Sequence, residues 1–308
     1  FSISGEYELT DDLEASAGYE YKTMDRDFQE VAEQSENSGW GRIRWRPNAI
    51  LDIDASGGVA ERRVEEYDED VAVSLDQNPL LRKYNLAYRY RRFGELTATI
   101  VPPESSVTLT ITGLFADDEY TRSQVGLTDG AEFGVTADAG WALSVSVSVY
   151  ASGSYENIEA DQNGSEQFGL PDWRATNDDT FYTFGGGARF RELTEKIDLQ
   201  VDFVRSEGTS EISVASDSGG ASRFPDLDST LDYLRLKLIY DYSDRIDITG
   251  RLQYQSFTAD DWALEGVGPA TIPSVLTLGA DPYDDDQLLF GIGFRYQLGN
   301  LGDSNEQE

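Results

Sequence analysis

Apolar and polar residues alternate along almost the whole chain, in strand-length runs joined by links that are short, then long, then short again. Phe1, Ile3, Tyr7 and Leu9 share one face of the first run, against Ser2, Ser4, Glu6 and Glu8. After only Thr10-Asp11-Asp12, Leu13, Ala15, Ala17, Tyr19 and Tyr21 repeat the pattern. Period two marks a strand with one face in an apolar medium. Alternating tight and long links adds a direction, because all the short turns of a meander then lie at one end. Together they predict an all-β fold: a transmembrane antiparallel up-and-down β-barrel of the outer-membrane type.

About thirteen strands are expected. After the first pair come 40–46 and 51–61, 94–101 and 106–115, 133–141 and 143–155, 180–190 and 197–204, 231–242 and 246–257, then 287–298. Short connections fall near Asp11, Asn48, Pro103, Ala142, Thr194 and Ser243; long ones cover roughly 29–38, 68–91, 117–130, 156–178, 206–228 and 258–286. Short periplasmic turns and long extracellular loops are the outer-membrane arrangement. Every short turn follows an odd-numbered strand, so the first strand should run from the outside inward, with Phe1 at the extracellular rim. Bacterial single-chain barrels have an even strand count and begin in the periplasm. The expectation is therefore that residues 1–298 form the C-terminal portion of a larger barrel, followed by a polar tail, 299–308, of expected disorder.

Mean hydropathy is -0.47, and no run of about 18 apolar residues exists, which excludes a transmembrane helix but not a barrel. The chain has no Cys and no His, so disulfides, thiolate metal sites, covalent haem attachment and histidine acid–base chemistry are excluded. A formal charge of -34 argues against nucleic acid as a partner. It leaves solvated loops, adaptation to high salt, or divalent-cation contacts near lipopolysaccharide, of which solvated loops need the least. No catalytic constellation is visible: Asp117, Asp118 and Glu119 sit at a loop mouth, so an enzyme is not expected. Gly185-Gly186-Gly187 lies mid-strand with no helix after it and reads as close packing, not a phosphate cradle.

The face expected toward lipid holds Val107, Leu109, Ile111 and Phe115; Leu143, Val145, Val147 and Val149; Ile197, Leu199, Val201 and Phe203; and Leu288, Phe290, Ile292, Phe294, Tyr296 and Leu298. The opposite, luminal face holds Thr108, Thr110 and Thr112; Ser144, Ser146 and Ser148; Asp198, Gln200 and Asp202; and Arg295 and Gln297. Arg42, Arg44 and Arg46 share that face with Asp52 and Asp54. They form either an internal ion-pair ladder, each pair contributing about 0.2–1 kcal/mol, or a docking surface for something held inside. Arg235 and Lys237, beside Asp247 and Arg251, carry the same two readings. In the acidic loops, Asp68, Asp70, Asp284, Asp285 and Asp286 are candidate Ca²⁺ contacts, since that ion takes clustered carboxylate oxygens, although the spacing matches no defined calcium loop.

One loop stretch is unusually specific: Asn78-Pro-Leu-Leu-Arg82-Lys-Tyr-Asn85-Leu-Ala-Tyr-Arg89. It resembles a recurrent segment of the MtrB/PioB family, the decahaem-cytochrome-associated outer-membrane barrels. Trp40-Gly-Arg-Ile-Arg-Trp45, Leu276-Thr-Leu-Gly-Ala-Asp281 and Phe294-Arg-Tyr-Gln-Leu298 are similar too. Members carry an acid where Tyr88 stands, which is a departure. The resemblance implies a barrel of about twenty-six strands, these thirteen being its C-terminal half, in the outer membrane. It also implies a sheath around a periplasmic multihaem, decahaem-type c-type cytochrome that carries electrons across the membrane, with an extracellular multihaem cytochrome as a further partner. Haem c would belong to the partner and no cofactor to this chain. Arg42, Arg44, Arg46, Arg235 and Lys237 are the candidate luminal contacts. The alternative is a general diffusion porin with an open aqueous lumen.

Overall fold

The computed structural model describes residues 1–27, 29–74, 76–219, 222–262 and 284–297. Its elements in chain order are β1 (Ser2–Thr10), β2 (Leu13–Asp25), β3 (Glu33–Trp45), β4 (Leu51–Val64), α1 (Glu69–Ser74), β5 (Leu81–Arg82), β6 (Arg89–Ile100), β7 (Val107–Glu119), β8 (Val125–Ala142), β9 (Val147–Gly164), β10 (Trp173–Thr194), β11 (Ile197–Ser216), β12 (Ser222–Arg223), β13 (Leu227–Ser243), β14 (Ile246–Asp260) and β15 (Asp285–Tyr296). Apart from the two-residue β5 and β12, the described strands follow one another in a single antiparallel meander of thirteen. That is the expected count. β1 and β15 are both edges, so the described sheet is open. An unpaired edge in hydrocarbon costs several kcal/mol per exposed backbone group, so the wall is part of a larger barrel.

Registry confirms the faces. Arg44 stands opposite Asp54, Thr97 opposite Thr112, Asp202 opposite Arg235, and Asp247 opposite Arg295. Directly opposed residues project to the same side, so one polar face runs unbroken from β1 to β15. Hydroxyls bridge across it: Thr97 to Thr112 at 3.1 Å, Thr99 to Thr110 at 3.4 Å and Thr183 to Ser206 at 3.0 Å. On the other face, rings cluster in two bands. Phe133, Tyr155 and Tyr182 form one (ring centroids 6.3 and 5.2 Å apart), while Tyr240 and Tyr242 lie nearer the short turns, 6.4 Å apart. Aromatic girdles at both interfaces are what a membrane barrel needs.

The strands are longer than sequence alternation predicts. β10 has 22 residues and β11 has 20, whereas about 9–11 residues span a bilayer. The expected loops 117–130, 156–178 and 206–228 are therefore mostly strand. Beyond the outer aromatic band the outward face turns polar, where Asn157 Nδ2 donates to Asp178 Oδ1 at 2.5 Å and Thr209 Oγ1 donates to Asp228 Oδ1 at 2.7 Å. With both faces wet there is no alternation to read.

The hairpin between β8 and β9 also differs. Leu143 and Val145, expected on the lipid face, lie in the turn, where the Ser144 amide donates to the Val147 carbonyl at 3.1 Å and Val145 is fully exposed. Mid-strand close packing at Gly187 is confirmed: a Cβ there would stand 2.6 Å from the Tyr150 ring. The expected tail, 299–308, lies outside the described residues, as do Leu298 and the stretch 276–281.

Candidate functional site

Two features shape the polar face: charges placed along it, and one connection that folds onto it. Residues 65–88, which hold most of the long connection expected over 68–91, turn inward at the long-loop end. Val64, on the polar face of β4, is buried with Val31 and with Leu86, which is 1% exposed, while Tyr67 and Tyr88 pack against them. Buried aliphatics are few on the described polar face, so these contacts dominate what holds the segment.

Hydrogen bonds tie the segment to distant wall elements. Arg62 Nη1 donates to the Tyr84 carbonyl at 3.0 Å, and Asn78 Nδ2 donates to the Gly169 carbonyl at 3.1 Å. Tyr88 Oη donates to the Val64 carbonyl at 2.5 Å, a bond that an ionised acid at this position cannot make because it has no donor. Lys83 pairs with buried Glu30. β5 runs parallel to the start of β8, Leu81 against Val125 and Arg82 against Gly126. Gly126 is required there: its φ is +113°, and a Cβ would collide with the Arg82 carbonyl. The Arg82 and Arg122 guanidinium groups lie over the Tyr67 and Tyr88 rings, 4.2 and 3.8 Å from their centroids.

Beneath the segment, Glu36 meets Arg62 at 3.5 Å and Arg89 at 3.2 Å, and Asp118 meets Arg91 at 2.9 Å. Beside the segment the wall leaves a recess of about 510 Å³, lined among others by Arg82, Tyr84, Gln162 and Asn177. The polar face is thus covered by the chain itself at the long-loop end.

Burial raises the phenol pKa of Tyr67 and Tyr120 above the ordinary 10.0. Both are neutral in the folded state, so their contribution is complete below about pH 10 and is lost as pH rises through the raised values. An alkaline absorbance titration should show a late tyrosinate phase that shrinks in Tyr67→Phe and Tyr120→Phe. A phase unchanged in both variants would contradict the assignment.

Lower on the wall, Arg42 bonds Asp54 through Nε at 2.7 Å, Arg46 bonds Asp52 at 2.9 Å, and Arg44 lies 3.4 Å from Asp54 and 3.6 Å from Glu14. The ion-pair ladder is therefore present. Arg235 does not pair with Asp247 as its sequence neighbourhood suggested. Its Nε donates to Asp202 at 2.9 Å, and Asp202 also accepts from Tyr150 Oη at 2.6 Å and Gln200 Nε2 at 3.1 Å. Asp247 is held by Arg295 at 2.8 Å. Lys237 stands opposite Arg251 and makes no ion pair among the described residues. Arg189 and Arg191, on the same face of β10, went unremarked in the sequence because nothing local distinguishes them.

Among the candidate cation contacts, Asp68 caps α1, accepting from the amides of Asp70 at 3.0 Å and Val71 at 3.3 Å. Asp284 accepts from the Ala259 amide at 3.3 Å and Asp286 from Tyr254 Oη at 3.0 Å, while Asp285 pairs with the Gln287 amide group. The described residues gather no group of three or more His, Cys, Asp or Glu able to share an ion.

Comparison with known proteins agrees with this architecture. Residues 1–298 match the family described as outer membrane beta-barrel porin, MtrB/PioB. Outer membrane protein MtrB of Shewanella baltica (strain OS185) is 24% identical over 97% of this chain, which spans 42% of that protein's length. Among solved structures, the copper transporter OprC superposes with a TM-score of 0.58 at 12% identity, over 96% of this chain and 43% of OprC. The ferric-catecholate import receptor Fiu from E. coli K12 gives 0.51 at 6% identity, over 83% of this chain and 57% of Fiu. At these identities the two structures speak only to the fold, that of an outer-membrane β-barrel. With the family match running along the whole sheet, this chain, an outer-membrane barrel wall, belongs to the MtrB/PioB family.

Proposed function

We propose that this wall is part of a sheath around a periplasmic multihaem c-type cytochrome, through which electrons cross the outer membrane. Family membership supports the reading, as does the resemblance of Asn78–Arg89 to the segment of cytochrome-associated barrels. The observation that carries it is a continuous polar face on a wall without any His or Cys. Such a wall can neither attach haem covalently through Cys nor ligate it through His or a thiolate, so a redox path through it would run on cofactors held by a luminal partner. Arg42, Arg44, Arg46, Arg235 and Lys237 project toward that partner, and an extracellular multihaem cytochrome would meet it at the outer mouth. Calcium at the acidic loops remains a secondary proposal.

The rival reading is an open diffusion porin, and the inward-folded 65–88 segment favours the sheath because it covers the polar face at the long-loop end. Purification of the full-length protein from its own membranes in mild detergent separates the two. A sheath should carry a haem-staining protein in stoichiometric amount, and vesicles containing the pair should reduce or oxidise an enclosed dye. A barrel free of haem protein that conducts ions steadily would overturn the proposal.

A further inference from the structure

We infer that Arg189, Arg191, Lys237 and Arg251 form a docking site for the acidic surface of a protein seated in the lumen, near its short-turn end. The inference rests on the sheath reading above and adds which residues hold the partner and by what chemistry.

Arg189 is opposite Gln200, Gln200 opposite Lys237, and Lys237 opposite Arg251. The row crosses four neighbouring strands on the polar face. At about 4.8 Å per strand, Arg189 and Arg251 stand roughly 15 Å apart. Arg191 lies one step nearer the turn on the same face of β10. Arg189, Arg191 and Lys237 also line a shared recess of about 220 Å³, together with Asp198 and Gln200.

None of the four cations forms an ion pair or a side-chain hydrogen bond among the described residues. Their neighbours on the polar face do: Arg42, Arg44, Arg46, Arg235 and Arg295 each reach a wall carboxylate. The carboxylate in the recess, Asp198, is instead engaged by the Glu192 amide at 2.8 Å. Lys237 directly opposite Arg251 is a like-charge cross-strand pair, which destabilises a sheet.

The chain has 58 acidic and 24 basic residues, so wall carboxylates are plentiful. Four cations left unpaired beside the carboxylate Asp198 concentrate positive potential where a body entering the lumen would meet it. Several carboxylates spread over about 15 Å match this patch. That geometry fits a folded acidic surface better than a single small anion.

The test compares the full-length barrel, co-expressed with its luminal partner, with R189E/K237E/R251E and with R189Q/K237Q/R251Q. The readouts are the partner retained per barrel and the salt concentration that releases it. R92E serves as the control, because Arg92 faces outward and pairs with Asp117 at 2.9 Å. Charge reversal should lower retention at least about tenfold. Neutralisation should lower it less and shift release to lower salt, and R92E should behave as wild type. A heat-shifted gel band checks folding, and the glutamine variant carries the test if the reversed one fails to fold.

Retention and salt sensitivity unchanged in the neutralised variant would overturn the docking site while leaving the sheath standing. A wild-type barrel with no luminal protein would overturn both. Changed ion selectivity of the emptied barrel together with undiminished partner retention would assign the patch to small anions and overturn the inference.

Discussion

Leu86→Ala in the full-length protein is expected to release the inward-folded 65–88 segment. Leu86 is 1% exposed and packs on Val31 and Val64. A buried Leu cut back to Ala costs about 2–5 kcal/mol, with the higher values where neighbours cannot collapse into the space. Here Val64 belongs to β4 and Val31 to the connection between β2 and β3, so little collapse is available. The remaining ties are a few hydrogen bonds, each worth about 1 kcal/mol net, and the Lys83–Glu30 pair. Tryptic cleavage at Arg82 and Lys83 should accelerate at least tenfold, and single-channel conductance of the emptied barrel should rise. The heat-shifted band should stay, since no strand of the meander is touched. Cleavage and conductance equal to wild type would mean that the polar contacts alone hold the segment.

Asp202→Ala is expected to give the largest loss of wall stability. Asp202 is 4% exposed and accepts from Tyr150, Gln200 and Arg235. Removing it strands three donors, and breaking a buried ion pair costs about 3–5 kcal/mol. The Arg235 side chain is 41% exposed, so water recovers part of that, and about 2–3 kcal/mol remains. Urea unfolding in detergent should show a lower midpoint with an unchanged slope. The same substitution also frees Arg235 beside Lys237 and so enlarges the unpaired cationic patch. Partner retention should therefore rise while barrel stability falls, whereas an Asp202 of purely structural importance would lower both.

Much of the wall was legible from the residues. Period two placed Thr108, Thr110 and Thr112 opposite Val107, Leu109 and Ile111, and placed Arg42, Arg44 and Arg46 beside Asp52 and Asp54. Tight turns were readable because Pro102-Pro103 and Asn48 stop a ladder locally. Strand length was not. Above the outer aromatic band both faces meet water, so Asn157, Asp178 and Glu211 carry no alternation although they sit in β9, β10 and β11. Leu143 and Val145 misled for the converse reason: they are apolar and in step, yet they fall in the turn. The inward course of 65–88 was also hidden, because its anchors at Val31, Gly126 and Gly169 come from three other parts of the chain.

Sequence alone determined that this chain makes a membrane wall and, within its strands, which residues share a face, because strand polarity is a local, period-two property. Tertiary structure decided which charges cancel. Partner choice depends on registry between strands tens of residues apart, and that registry gave Asp202 to Arg235 and Asp247 to Arg295. It left Arg189, Arg191, Lys237 and Arg251 together unpaired among the described residues, the nearby Asp198 being taken by the Glu192 amide.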